Sequence, residues 1–592
     1  MMLYYGHSLR RTLHHIHKLR IMHPRSRILI NKRDLKYAYR RLHTWAHIAA
    51  ACMSMIGDIV LMMLRLPFGS TPAPVEFCAS SEMIIDLSAD LLQSVEWDPD
   101  IVFPPHTDMI PPIKRISEPE YYPPALPLDV DVPHRPEGMA DGYIDDIWTV
   151  CIDDKIYTDK ANIAIDLAIH LTFRPLATNE PIPRNDPLSI NKLKAEGRLE
   201  EVKTLLGWEI DTRSHSISLP ADKYQRWSRE IDEIISSGRA CPDTFKSLAG
   251  KLNNVGYILP PARHFTGRIH RKANQHNRRT KVVLTQDEKS DLILWLKLLK
   301  HANEGVSINT LVYRKVDVWA MTDASEHGIG GFTSQGLYWN YELPLNLRGV
   351  FTLNLLEFIA SIFTIIMILR TNRPYTCIMC NSDSTSTIGW LHKTSFWDNH
   401  QHKTEPDYFL HLTIARFLAE NLIIHKGVLY SQHVPGKHND LSDSLSRDTH
   451  IPPCAHTHLL SSLYPHQMKP SSTISQLPPD LILWLTTLAH KRPNVQEWKK
   501  PPTRSNLLCG TGGVSTAQGL DSRITTLNIC NNLSGYGLSV LSCTRSRQAD
   551  FRAPPLPAFP PHTPDRQLTM WLRLSGLTTN QTPALTQADV SI

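Results

Sequence analysis

Hydrophobic and polar positions along the 592-residue chain change period several times, and each change marks an element boundary. Residues 1–97 read in the order helix, strand, helix. Over 98–138 the period is lost, because proline recurs through WDPDIVFPPHTDMIPP and EYYPPALPLDVDVPHRP; its ring fixes φ and removes the N–H donor, so regular structure is not expected there. Order resumes at Gly138, where MADGYIDDIWTVCID sets two apolar runs around an acidic dipeptide, the pattern of a β-hairpin with carboxylates at its tip. A helix near 158–171 and a strand at LLGWEID (205–211) follow. From Ala221 to about Leu299 the period is helical, clearest in YQRWSREIDEII and FKSLAGKLNNVGYIL, which predicts an all-α module. A new α/β alternation starts near Val312, with strands VDVWAMTDAS, GIGGFTS and YTCIMCNSD and helices LLEFIASIFTIIMIL and YFLHLTIARFLAEN, and closes near Arg447. Beyond it the chain is rich in Pro, Ser and Thr with one helix, PDLILWLTTLA (479–489), so 449–592 reads as a mostly unstructured tail.

Composition narrows this little: 42% hydrophobic and 20% charged residues is an ordinary globular balance. The net charge of +6 matters because it is clustered. One run holds Arg10, Arg11, Lys18, Arg20, Arg25, Arg27, Lys32, Arg33, Lys36, Arg40 and Arg41; a second holds Arg263, Arg268, Arg271, Lys272, Arg278, Arg279 and Lys281. Both suit a phosphate backbone, although charge alone fits a solvated helix face or tail equally well. Ten cysteines without framework spacing point to a reducing compartment, and the lone Cys377-Ile-Met-Cys380 reads as buried strand rather than as a metal site. The apolar stretch from His47 to Leu64 is broken by Asp58, and that from Phe358 to Leu369 is too short for a bilayer. With no signal peptide or membrane anchor visible, the expectation is an intracellular protein of cytoplasm or nucleus, not secreted.

Two acidic constellations carry chemistry. In the first, Tyr143-Ile144-Asp145-Asp146 stands at the hairpin tip, preceded in the chain by Asp34-Leu-Lys-Tyr-Ala-Tyr-Arg-Arg and by Arg65-Leu-Pro-Phe-Gly-Ser-Thr-Pro-Ala-Pro-Val-Glu-Phe, which opens a helix. Adjacent carboxylates on a tight hairpin can be presented to a divalent metal, whereas Asp34 alone would also pass for a helix cap. In the second, Asp323 lies on a strand, Glu357 in a helix, Asp383 at a strand end, and Asp443 near the end of the α/β region, with Asp440 as its alternate. Hard carboxylate oxygens in such sets suit magnesium.

In these motifs and their order the chain resembles the reverse transcriptase family with a ribonuclease H domain, and within it the retroelements that carry a tyrosine recombinase (DIRS-like) and their relatives; the resemblance covers about residues 15–448. It implies a right-hand polymerase followed by a ribonuclease H-like domain: 1–97 as the first part of the palm with a fingers remnant, 98–138 as a Pro-rich insertion, 139–215 as the second part of the palm, 216–304 as thumb and connection, 305–448 as the nuclease domain, and 449–592 as the tail. Asp34, Asp145 and Asp146 match the catalytic aspartates, with Asp34 and Asp145 bridging two metals and Asp146 supporting. Leu66-Pro-Phe68-Gly69-Ser70 matches the segment under the nascent base pair, Tyr143 belongs to the hairpin motif, and Tyr39 falls at the sugar gate, with a core tyrosine as the alternative. Leu206-Gly207-Trp208 resembles the primer grip, and Arg263 and Arg268 in the thumb are expected to hold nucleic acid.

Asp323, Glu357, Asp383 and Asp443 match the nuclease carboxylates, and His433-Val-Pro-Gly-Lys437-His-Asn439 with Ser442-Asp443-Ser-Leu-Ser-Arg447 is similar to the end of such domains. The family also implies two Mg2+ per site, Mn2+ as a possible substitute, and as partners an RNA template, a DNA primer, an RNA–DNA hybrid and deoxynucleoside triphosphates, with no membrane. Only 33 residues precede Asp34, where the family has its fingers, so an N-terminally truncated frame is expected. The alternatives are a remnant that retains only ribonuclease H activity, or only nucleic-acid binding.

Overall fold

The computed structural model describes residues 7–70, 73–114, 117, 121–173, 185–274, 280–392, 406–468 and 472–490. They fall in two compact units divided after His215, with 127–129 belonging to the second. The architecture is mixed α and β, with several sheets.

The first unit runs α1 (Ser8–Met22), β1 (Ile28–Asp34), α2 (Ala46–Ala51), β2 (Ser54–Ile56), β3 (Ile59–Leu61), α3 (Ala73–Gln93), β4 (Met139–Tyr143), β5 (Asp146–Ile152), α4 (Lys155–Phe173), α5 (Ile190–Glu196), β6 (Val202–Leu205) and β7 (Trp208–Asp211). β1, β5 and β4 form an antiparallel sheet with β5 central. On one face Ile147 packs with Phe77, Ile84, Ile165 and Ile169 of α3 and α4, and Leu29 with Ala89, Leu92, Ala161 and Ala164. On the other, α1 reaches β5 through Trp148, whose indole N–H donates to Thr12 Oγ1 at 2.9 Å. Cover on both faces is why IWTVCI is unbroken by outward polar positions. Among the described residues of 98–138 the only helical turn is the 3-10 segment Thr107–Met109, as proline density leads one to expect.

Two features of this unit depart from the sequence reading. Much of the N-terminal basic run is internal. Arg11 forks onto Asp141 at 2.7 and 2.9 Å, Arg27 reaches Asp153 and Glu201, and Arg33 lies on Asp166 at 2.6 Å. Arg20 donates to the carbonyls of Ser26 and Thr212 beneath the face of Tyr122. A buried guanidinium must find carboxylates or carbonyls, so these cations are not a phosphate-facing surface. The second departure is β2–β3, a hairpin not foreseen between β1 and α3, turning at Gly57 with all six strand residues exposed.

The second unit begins with β8 (Ser216–Ser218), α6 (Ala221–Ser237), β9 (Arg239–Ala240), α7 (Pro242–Val255), α8 (Gly267–Ala273), β10 (Val282–Val283), α9 (Gln286–Glu304) and β11 (Val306–Ser307). The helical stretch is not purely helical, since β9 pairs with β10. Thr285 and Glu288 form a reciprocal capping box that starts α9. Then come β12 (Val318–Ala324), β13 (Gly328–Thr333), β14 (Tyr338–Glu342), α10 (Leu353–Thr371), β15 (Cys377–Ser382), α11 (Thr385–His392), α12 (Pro406–Ile424), β16 (Val428–His433), α13 (Asp440–Arg447), α14 (Pro453–Leu463), β17 (Ile474–Gln476) and α15 (Pro479–His490).

Six of these strands form one sheet in the order β16-β15-β12-β13-β14-β17, antiparallel through β12-β13-β14 and parallel elsewhere. Cys377 and Cys380 lie fully buried on β15, their thiols pushed up to about 12 by burial. α10 is long and apolar enough to cross a membrane, against the shorter span read from sequence, yet 83% of that window is buried inside the fold as the core helix of this sheet. The sheet also continues past 448. β17 pairs with β14 at the edge, and α15 buries Leu481, Leu485 and Leu488 with Leu477 in the same core. Part of the expected tail is therefore ordered, because its leucines join the core around α10; residues 491–592 lie outside the described residues.

Candidate active sites

The hairpin β4–β5 turns at Ile144 and Asp145, with Ile144 in the left-handed region at φ 59. That turn is held from two sides: Ser81 of α3 donates its hydroxyl to the Ile144 carbonyl, and the Leu35 amide donates to the Asp145 carbonyl at 3.3 Å. In the register Asp34 is the direct cross-strand partner of Asp146. Three carboxylates thus meet at one end of the sheet because two strands end there and a turn begins.

Burial raises the carboxyl of Asp145 above its ordinary range, and the charges of Asp146 and Asp34 push in the same direction. Two ammonium groups face the set. Lys192 of α5 donates to Asp34 Oδ1 at 2.5 Å, and Lys32 lies 3.1 Å from Asp146 Oδ1. Burial opposes the charge of Lys192, but the Asp34 contact, with Asp146 and Glu196 nearby, outweighs it and holds the ammonium above its usual range. The sequence reading missed Lys192 in this role, since nothing local marks it.

Of the expected substrate residues of this unit, Tyr39, Phe68 and Tyr143 lie near the same end. Tyr39 sits in a 3-10 turn (Ala38–Arg41), edge-on to Phe68 at 5.1 Å and Phe77 at 5.3 Å. Burial and the neighbouring Asp145 raise its hydroxyl. Its ring packs between an exposed and a buried aromatic, at the carboxylate end of the sheet. Phe68 is 79% exposed beside Gly69, and Tyr143 is partly exposed at the hairpin. Leu206 and Gly207 form the turn of the β6–β7 hairpin, while Trp208 is buried beneath it.

The second site is tighter. One oxygen from each of Asp323, Glu357 and Asp383 lies within 4.8 Å of the others; among the described residues this is the one such group of three or more His, Cys, Asp or Glu ligand atoms. β12 carries Asp323 in its last turn of pleat, Asp383 follows the end of the adjacent parallel strand β15, and α10 brings Glu357. Burial, then the charges of Asp323 and Asp383, drives Glu357 up to about 9, and burial drives Asp323 up to about 6. Glu357 Oε2 is buried with no protein partner.

Asn439 caps this group: its Nδ2 donates to the Thr322 carbonyl at 3.2 Å, Asp383 Oδ1 at 3.3 Å and Asp323 Oδ1 at 3.5 Å. Ser446 donates to Asp323 Oδ2 at 2.6 Å. Asp443 stands outside the trio, its Oδ1 taken by Arg447 Nε at 2.7 Å, although its charge reaches Asp323. α13 can lie directly on β13 because the strand is glycine-rich: a Cβ at Gly330 would come within 2.8 Å of the Leu445 Cβ. His433 donates from Nε2 to the Asp383 carbonyl at 3.1 Å, a positioning contact on the backbone.

Arg263 lies in the 3-10 segment Pro260–Phe265 with its side chain against Gly256. Arg268 is largely buried, 3.2 Å from both Asp287 and Asp291, so the structure gives it to carboxylates where an open phosphate grip was expected. Asn439 and Ser446 were not singled out from sequence, although both lie inside the closing motif that was.

No protein-family model matches the chain, and no curated protein matches it. Among solved structures it is similar to foamy viral protease-reverse transcriptase. For a form in complex with double-stranded DNA, identity is 13%, TM-score 0.32, and the match covers 69% of this chain and 57% of that one. For the RNA/DNA hybrid complex the values are 13%, 0.31, 68% and 44%, and for a further double-stranded DNA complex 13%, 0.30, 68% and 67%. The chain spans less than two-thirds of the length of the first two of these proteins.

Proposed function

We propose that this chain is an RNA-directed DNA polymerase with ribonuclease H activity from a retroelement, the first unit supplying a palm and the second a helical thumb and a hybrid-cleaving nuclease. The observation that carries the reading is the trio Asp323, Glu357 and Asp383, brought within 4.8 Å from two parallel strands and the core helix. Its donor set is all hard oxygen, and the unsatisfied Glu357 Oε2 lacks only a cation, so the residues fit magnesium, with manganese as substitute. When bound, paired magnesium ions would activate the attacking oxygen and neutralise the leaving one at each site.

The chain's own residues supply the rest. At the nuclease site Asn439 holds Oδ1 of both Asp323 and Asp383 while Ser446 holds Asp323 Oδ2, so the two carboxylates are oriented from outside the trio. Asp443 can join once it leaves Arg447. At the polymerase site Asp34, Asp145 and Asp146 would hold the metal, and Lys192 and Lys32 offset their charge. Tyr39 with Phe68 forms the apolar floor for an incoming deoxynucleotide. The retroelement type, one carrying a tyrosine recombinase, rests on the sequence motifs alone.

The test uses the full chain with magnesium in two assays: primer extension on an RNA template and cleavage of labelled RNA in a hybrid. Asp145→Asn is expected to abolish extension and spare cleavage, and Asp383→Asn to do the reverse. Extension unchanged by Asp145→Asn would remove that assignment. A second reading, hydrolysis alone, is favoured by one contrast: the Asp34 set is already paired with two ammonium groups, whereas the nuclease trio is not. Cleavage without any extension would select it.

A further inference from the structure

Away from both carboxylate sites, His23 follows the last turn of α1, and His134 lies in the Pro-rich segment just before β4. Their Nε2 atoms are 3.2 Å apart, the rings are inclined by 26°, and the ring centroids are 4.9 Å apart. Because the nitrogens are closer than the ring centres, the two rings converge on their Nε2 ends. Two lone pairs cannot face each other unaided, so this approach requires either a proton on one nitrogen or a cation shared by both. Two imidazoles on one tetrahedral zinc at ~2.0–2.1 Å hold their nitrogens roughly 3.3 Å apart. The observed spacing is that bite.

We propose that His23 and His134 form a two-histidine site for a transition-metal ion of the zinc class, with water completing its shell. The site is open to an ion, since His134 is exposed and His23 half-exposed. Only the neutral imidazoles coordinate, so binding should weaken as the solution is made more acidic. Among the described residues no third His, Cys, Asp or Glu atom completes a group with these two, which sets the expected affinity well below that of a structural zinc. Magnesium, which prefers oxygen, would not compete. The ion would clip the Pro-rich segment to the end of α1. That fixes the route into β4, which is already narrow: Gly138 has φ +122, and a Cβ there would lie 2.8 Å from the Val150 carbonyl.

The experiment is isothermal titration of the full chain with zinc chloride, repeated with nickel chloride, in excess magnesium so that the carboxylate sites are filled. One saturable equivalent is expected in the wild type, lost in His134→Ala and His23→Ala and restored in His134→Cys, whose thiolate is also a zinc ligand. Zinc should also slow amide exchange over 130–138 in the wild type and not in His134→Ala. His134 is exposed, so its variants test binding rather than folding, which circular dichroism checks. No saturable zinc binding by the wild type, or identical titrations for wild type and His134→Ala, would overturn the proposal and leave the contact as an imidazole–imidazole hydrogen bond. Neither result bears on polymerase or nuclease activity.

Discussion

Glu357 is held against two other carboxylates with one oxygen unpartnered, and its folded value of about 9 stands above the 4.5 of an open chain. A folded carboxyl raised in this way penalises the fold from pH 4.5 upward, and the penalty grows until about pH 9. Glu357→Gln should therefore stabilise the metal-free protein near neutral pH by on the order of 2–3 kcal/mol while abolishing hybrid cleavage. Urea unfolding in EDTA would show it, with the gain vanishing as the pH falls below 4.5; a destabilised variant would contradict the account. The buried imidazoles work in the opposite sense. Burial lowers His14, His15 and His264 to about 3, so the fold keeps them neutral while the unfolded chain protonates them below 6.5. Their contribution is intact above pH 6.5 and is lost as the pH falls toward 3, at about 1.4 kcal/mol per pH unit for each group. The unfolding midpoint in denaturant, followed through that range, is the measurement, and replacing His264 by Gln should flatten the slope.

At the scale of elements, the contact of β13 with α13 helps to build the proposed nuclease site, because α13 carries Asp443 and Ser446. Gly330→Ala would press a methyl group into Leu445, forcing the helix outward. Overpacking of this kind costs about 1–3 kcal/mol. Since the shift falls on Ser446 and Asp443, cleavage should drop by far more than the loss of folded protein explains, while primer extension is unchanged. Equal loss of both activities would point to general unfolding. These elements also show what a single sequence makes legible. MTDAS, LLEF and NSDST announce carboxylates on strand, helix and strand end because period and motif are local. β17 escaped notice: three residues are too few to show a period, and what makes Ile474–Gln476 a strand is the open edge of β14 far back in the chain. The same holds for the basic runs. Charge is visible in sequence, but the Asp141, Asp166 and Asp291 that absorb Arg11, Arg33 and Arg268 are distant, so an internal cation and a phosphate-binding one look alike.

For the whole molecule, the end of the second unit is the practical matter. A chain stopped at 448 loses Leu477, Leu481, Leu485 and Leu488 from the core around α10. Burial of such a side chain is worth ~1.5–3 kcal/mol, so a chain ending at 490 should be far more stable than one ending at 448, and only the longer should cleave hybrid robustly. Thermal unfolding of the two, side by side, decides the point; equal midpoints would show that α15 is dispensable. The position of β17 at the sheet's edge reaches into biosynthesis as well. Every nuclease carboxylate leaves the ribosome before the strand that closes the sheet, so during translation β14 waits with its edge bare while the chain from Glu342 to Ile474 is made, a delay on the order of ten seconds. For that interval the nascent sheet presents an unpaired edge, a template for stray pairing with other chains.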